Sequence, residues 1–312
     1  MRKSSEEGAD MEEVVMTEIQ EQSPKKERKV KTNGKTRKTV HKVVMYIVNA
    51  LLGIIFLFPL IFLFVSAFNP ARDLPSQIGS FGDLMPEYLT FSNFASVFTR
   101  IPMLQYFGNT LLYALGTVFG VLVVNSMAGY ALAKINFKGN KLVYNFIVIM
   151  LIIPFEGITL SLYLVVRAFG MVDTPLAVIL PSFFSCFYIF MFRQFFIGVP
   201  TALIEAAEID GAGSFTTYFR IIVPTAVPVF ITVFILEFIG KWGDYYWPLL
   251  TLTNNQWYNV QLAIKSFSTA SPYHWGTVMA SLAVVTVPVL IVFMCLQKYY
   301  IEGIATQGIK DM

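Results

Sequence analysis

The stretch PTALIEAAEIDGAGSFTTYFRIIVP, Pro200–Pro224, lies between two strongly apolar segments and carries too many polar residues to cross a membrane itself. Its spacing predicts two short helices around a glycine joint. Pro200 suits a helix start, where the missing amide hydrogen costs nothing, and Thr201 is the expected N-cap. Leu203, Ile204, Ala206 and Ala207 make a small apolar face, with Glu205, Glu208 and Asp210 on or beside it. Gly211 and Gly213 end that helix. Ser214 is the expected cap of a second one, through Phe215, Tyr218, Phe219, Ile221 and Ile222, until Pro224 re-aims the chain. Alanines beside a glutamate let such a helix lie close against another surface while the carboxylate reaches a cation there. On spacing alone, the stretch reads equally as a loop folded against its own membrane helices.

Composition says what the stretch is mounted on. Of 312 residues, 55% are apolar and only 14% charged, with a mean hydropathy of +0.61, which is the profile of an integral membrane protein. The net charge of +3 matters less than its placement. Residues 1–42 are first acidic (Glu6 to Glu21) and then basic (Lys25 to Lys42), a polar tail unable to fold alone, whose basic half marks the cytoplasmic side and can lie on anionic lipid. The two cysteines, Cys186 and Cys295, both sit inside apolar runs and read as small packing residues.

Six uncharged or nearly uncharged runs follow, expected as membrane spans within a domain covering residues 43–298: Val43 to Phe68, Leu104 to Ala133, Leu142 to Val166, Pro175 to Phe196, Thr225 to Trp242 and Gly276 to Leu296. Between the first two, the polar connection from Asn69 to Met103 is expected outside, with a short surface helix around Phe91 to Thr99. Lys134, Lys138 and Lys141 crowd the next gap and place it inside. An even number of spans puts both termini in the cytoplasm, including the tail 299–312. The fold class is therefore all-α integral membrane, with six transmembrane helices and one cytoplasmic two-helix loop.

The polar points within the spans are few. Asn109 and Asn125 lie in the second, beside a Gly116/Gly120 pair that reads as helix packing. Glu156 follows the helix-weakening Ile153-Pro154 in the third, either facing a path or hydrated at an interface. Glu237 and Lys241, four apart in the fifth, are placed to pair on one face, as structure or as the border of a path. Trp242 and Trp247 begin an aromatic-rich segment to Trp275, which fits a membrane interface, a sugar platform or a protein contact. Asn109, Glu156, Glu237, Lys241, Trp242 and Trp247 are the candidates for a substrate path.

The residues Glu205-Ala206-Ala207, then Asp210-Gly211-Ala212, then Phe219 and Pro224, closely resemble the E-A-A loop of permease subunits of binding-protein-dependent ABC importers. Further matches, Phe91-Ser92-Asn93-Phe94, Gly108-Asn109-Thr110-Leu111, Trp242 with Trp247-Pro248-Leu249, and Tyr300-Ile301-Glu302-Gly303-Ile304, are similar to the carbohydrate branch, that of the smaller maltose permease subunit. The likeness covers Val43 to Met312. It departs at the tail, where that branch commonly reads F-V-R-G-L-T-x-G-x-x-K-G and this chain has Glu302 for the basic residue, keeping Gly303, Gly308 and Lys310.

The resemblance implies that Glu205, Ala206, Ala207, Asp210, Gly211 and Ala212 form the coupling helix that docks on an ATP-hydrolysing subunit. It implies a second permease subunit, giving a heterodimer, two ATP-binding subunits that hold ATP and Mg, and an extracytoplasmic solute-binding protein. The cargo it implies is a sugar or oligosaccharide. No cofactor is expected in this chain, nor nucleic acid as a partner. The residues agree: there is no GxxxxGK[ST] phosphate loop, no metal spacing, and no acid/base pair or activated nucleophile for an enzyme. A permease for a peptide or amino acid on the same fold, or a membrane assembly factor, are the alternatives.

Overall fold

The structure, a computed structural model, describes residues 33–69, 88–269 and 274–308. The charged tail to residue 32, most of the first connection (70–87) and the side chains of the tail motif from residue 299 onward lie outside the described residues. Every regular element among them is helical. The chain divides into two units, one ending at Pro59 and one starting at Leu60.

Helix α1, Asn33–Phe68, spans that division. It begins ten residues before the apolar run at Val43, so part of the tail expected to be unfolded is helical. Helix propagation explains this, since lysine and arginine are good helix formers once an adjacent apolar helix supplies the nucleus. From Val40 to Phe58 its large apolar side chains are exposed on all sides, the pattern of a helix meant for lipid or a partner.

In the second unit, α2 (Ser92–Arg100) matches the expected surface helix, and Asn93 explains the Phe-Ser-Asn-Phe motif at its start. Its buried amide donates to the Ala67 and Asn69 carbonyls at 3.0 and 2.7 Å, closing the open end of α1. Helix α3, Met103–Lys134, is the central long helix, and α13, Trp275–Gly308, is the last.

Among the described residues three helices are thus long and apolar enough to cross a membrane unbroken. Three more pairs qualify only if each bent pair is one span. The third expected span, written above as a single crossing, folds by 106° between α4 (Asn140–Met150) and α5 (Phe155–Ala168), where Pro154 takes an extended conformation that ends one helix and starts the next. The fourth bends by 40° between α6 (Pro175–Phe183, closing in a tight 3₁₀ turn) and α7 (Cys186–Ile197). The loop continues as α8 (Thr201–Ile209) and α9 (Ser214–Thr225), which meets α10 (Val227–Trp242) at 78°. The expected external segment after α10 is itself folded, into α11 (Tyr246–Thr251) and α12 (Val260–Ser268).

Buried glycines set the spacing around α3. A Cβ on Gly120 would fall 2.1 Å from the Phe183 ring, and one on Gly129 would fall 2.7 Å from the Phe192 Cβ and 3.0 Å from the Arg193 backbone nitrogen. Close approach of α3 to α6 and α7 therefore requires the missing side chains, as the packing reading of the glycine pair holds. One core gathers α2, α3, α10, α12 and α13 around Met103, Tyr106, Phe238, Trp242 and Val260. A second gathers α3, α7, α8, α9 and α10 around Tyr130, Phe192, Phe196, Ile204, Tyr218 and Ile222.

Candidate functional site

The Pro200–Pro224 stretch stands on the second core. Ile204 and Ala207 of α8 and Thr217, Tyr218 and Ile222 of α9 are buried, whereas Leu203, Glu205, Ala206, Asp210 and Gly211 are exposed and Ile209, at the tip, is 86% exposed. Each helix starts at its expected cap residue, so the cap itself falls one residue earlier. Pro200 and Gly213 occupy the N-cap positions, so Thr201 and Ser214 are already helical and make no capping bond. The glycine joint is as expected and has a specific geometry. Gly211, at φ +80°, donates to the Glu208 carbonyl at 3.0 Å, and Ala212 donates to the Ala207 carbonyl at 2.8 Å. This pair of bonds is a Schellman closure, which satisfies the last carbonyls of α8 and turns the chain sharply.

Three polar contacts fix the base of the loop. The Tyr218 and Ser126 hydroxyls share a hydrogen bond of 2.6 Å, linking α9 to the middle of α3. Tyr218 opens a π turn, Tyr218–Ile222, the widened helix form that often accompanies functional segments. Lys134, at the end of α3, donates to the Val199 and Ile197 carbonyls at 2.6 and 3.4 Å, closing the last turn of α7 just before the loop begins. An exposed, acid-bearing helix tip is thereby carried on a buried, cross-linked foundation, an arrangement able to pass force between a docked partner and α3, α7 and α10.

The candidate path residues do not assemble into one site. Asn109 donates its amide to the Gln256 and Tyr258 carbonyls at 2.8 and 2.9 Å, holding the segment before α12. Trp242 is buried, its indole N–H donating to the Val285 carbonyl at 3.0 Å, and it stacks on Phe238 at 5.6 Å. Trp247 is also buried and donates to the Ala177 carbonyl at 2.9 Å. These two indoles bind the end of α10 and the segment after it to α13 and α6. Glu156 is exposed in the first turn of α5, where the helix dipole favours a carboxylate.

Glu237, Lys241 and Trp247 do converge, on a cavity of about 200 Å³ at the breaks in the third and fourth spans, with Phe155, Ser182, Ser185 and Tyr188 also on its wall. The expected Glu237–Lys241 pair is replaced. Lys241 donates instead to Asp244 Oδ2 at 3.0 Å, and Asp244 Oδ1 accepts the Trp247 backbone N–H at 3.3 Å. The geometric reason is that Asp244 follows the end of α10 by two residues, where the turn brings its carboxylate back to Lys241. Glu237 is 8% exposed, faces the Tyr188 hydroxyl, and its Oε1 has no hydrogen-bond partner among the described residues.

Sequence reading missed Tyr188, Ser182 and Ser185, because an apolar run with a proline and two serines gives no sign of the break between Phe183 and Cys186. Asn125 is the residue that makes that break tolerable. Its amide donates to the Phe183 carbonyl at 2.9 Å and its Oδ1 accepts the Ser185 backbone N–H at 2.8 Å, so both exposed backbone groups find a partner inside the protein. At the far end of the fold, Asp173 accepts from the Thr253 hydroxyl and from the Thr253 and Asn254 backbone N–H groups, and these bonds hold its carboxyl below the usual aspartate range.

Comparison with known proteins places this architecture. The arabinooligosaccharides transport system permease protein AraQ of Halalkalibacterium halodurans is 32% identical over 262 residues, 84% of this chain and 94% of that one. The lactose transport system permease protein LacG of Rhizobium radiobacter is 30% identical over 267 residues, 86% of this chain and 96% of that one. A chain of a bacterial ABC transporter involved in import of the acidic polysaccharide alginate shares the fold, with a TM-score of 0.74 at 22% identity, covering 89% of this chain and 100% of the other. Residues 125–305 match the family model described as the binding-protein-dependent transport system inner membrane component. The matched range takes in the exposed loop, its buried foundation and the cavity, and the chain belongs to that family of inner membrane transport components.

Proposed function

We propose that this chain is one permease subunit of an ATP-driven sugar or oligosaccharide importer, contributing half of the translocation path. The observation that carries the reading is the α8–α9 loop, an exposed helix bearing Glu205, Ala206 and Ile209 on a foundation bonded to α3 and packed against α7 and α10. Each bent pair counts as one crossing, giving six spans with both termini in the cytoplasm and the loop on the same side as Lys134, Lys138 and Lys141. ATP and Mg are held by a pair of partner ATPases. Their closure moves α8, and the Schellman joint, the π turn and the Tyr218–Ser126 bond carry that movement into α3 and α10. A second, non-identical permease completes the path, and an extracytoplasmic binding protein delivers the cargo. The sugar assignment rests on the names of the relatives, and on a cavity whose donors and acceptors suit hydroxyl groups.

The test is purification of the tagged chain from its native membrane in mild detergent, followed by identification of its companions and assay of ATP hydrolysis. A second permease and an ATPase, with hydrolysis stimulated by an oligosaccharide-loaded binding protein, are expected. Recovery of this chain alone, even after cross-linking through residues 200–224, would overturn the proposal.

A further inference from the structure

The cavity at Glu237 has a charge arrangement that its sugar-path role leaves unexplained. Among the described residues its only cationic wall residue, Lys241, is held by Asp244, and Asp244 is itself fixed by the Trp247 backbone N–H. A carboxylate-bearing ligand therefore finds no free cation there. The nearest ionisable wall group is Glu237, buried, with an acceptor oxygen that no described group satisfies. The Ser182 and Ser185 hydroxyls and the Tyr188 hydroxyl supply the remaining polar surface, while Phe155, set edge-on to Trp247 at 5.9 Å, supplies an apolar wall. Such a wall recognises a ligand rich in hydroxyl donors and without negative charge. It opposes a uronate, whose carboxylate meets the Glu237 side chain beside a lysine already paired with Asp244.

Resting on the importer reading, we propose that the Glu237 cavity is a charge filter: it accepts neutral glycan units, excludes uronates, and owes that selectivity to Glu237 and to the Asp244 lock on Lys241. Nothing else on the cavity wall distinguishes a hexose from its uronic acid, since the two differ at a single carbon and share every ring hydroxyl.

The probe pair is digalacturonate and its dimethyl ester, which have one skeleton and differ in charge. Binding of each to the assembled importer without its binding protein is followed by saturation-transfer NMR in detergent. The wild type is expected to bind the ester about tenfold or more tighter than the acid, the scale of one like charge met at close range. Glu237→Gln should reduce that ratio to about threefold or less by removing the repelling charge while keeping an acceptor. Asp244→Asn should reduce it as well, by freeing Lys241 to meet the acid while the Glu237 side chain stays in place. Equal affinities in the wild type, or a ratio unchanged in both variants, would overturn the filter. Failure of an assembled importer to bind either compound would overturn the cavity as a ligand site. Absence of any ATPase from the purified complex would instead remove the importer reading on which the filter depends.

Discussion

Replacing Asn125 by leucine tests how the break in the fourth span is held open next to the cavity. The asparagine is fully buried and bonds both sides of the break: the Phe183 carbonyl at 2.9 Å and the Ser185 N–H at 2.8 Å, besides its own helix carbonyl of Val121 at 2.8 Å. Leucine has a similar volume and no polar atoms, so packing changes little while two backbone groups lose their only described side-chain partner. Bonds between membrane helices average about 0.6 kcal/mol and reach about 1.7, and an orphaned buried group costs about 1–3 kcal/mol. Two such groups amount to roughly 2–4 kcal/mol. At about 2–4 °C per kcal/mol for a chain of this size, the thermal midpoint in detergent should fall by roughly 5–15 °C. Asn125→Asp separates the two bonds, because it keeps the acceptor for Ser185 and turns the donor toward Phe183 into a repelling oxygen. It should be at least as damaging as leucine. The assay is fluorescence-detected thermal unfolding of the purified complex, paired with uptake in cells. A leucine variant that melts within about 2 °C of wild type, less than one lost bond should cost, and transports normally would refute the claim that Asn125 sustains the break.

Gly211→Val should uncouple ATP hydrolysis from uptake. A Cβ there meets nothing within 4 Å, so the penalty is the left-handed backbone alone, about 1–2 kcal/mol, while Gly211→Asn, which tolerates that conformation, should retain uptake; a valine variant with normal uptake per ATP would count against the joint. Glu205→Lys leaves the exposed surface otherwise unchanged, so the thermal midpoint should hold within about 0.5 kcal/mol while co-purification with the ATPase falls several-fold; undiminished co-purification would dismiss the cation contact. The Asp173 latch should depend on pH in one direction. Its carboxyl titrates below the usual 3.8, so the stability it adds is fully present above that value and is lost as pH falls through the lowered one. A spin label at Asn255 should therefore keep constant mobility from pH 7 to about 5 and loosen only under stronger acid, whereas loosening near pH 6 would point to another group.

Much of this architecture was legible in the residues because membrane burial writes itself in long runs. Twenty or more apolar residues in succession have few alternatives to a helix in lipid, and lysines gather where the chain returns to the inner side. The loop was legible for a different reason: Gly211 sits where only a left-handed residue ends a helix cleanly, and alanines with acids leave one face free for a partner. Backbone breaks were legible at Pro154 and Pro224, and even there the sizes of the bends were not. The break at Phe183–Ser185 has its cause some sixty residues away, in Asn125, and a sequence window cannot connect the two.

The sequence by itself determined the helical membrane class, the positions of the apolar runs and the two-helix form of the Pro200–Pro224 loop, since these depend on local composition and spacing. Only the tertiary structure decided what the polar points do. It turned Asn109, Trp242 and Trp247 into bonds that fasten segments together, exchanged the Glu237–Lys241 pair for Lys241–Asp244, and left Glu237 on the wall of a cavity beside Tyr188. The physical reason is that a hydrogen bond or ion pair in a low-dielectric interior goes to whichever partner the fold brings within about 3 Å, and helix bends of 40° to 106° decide which partners those are.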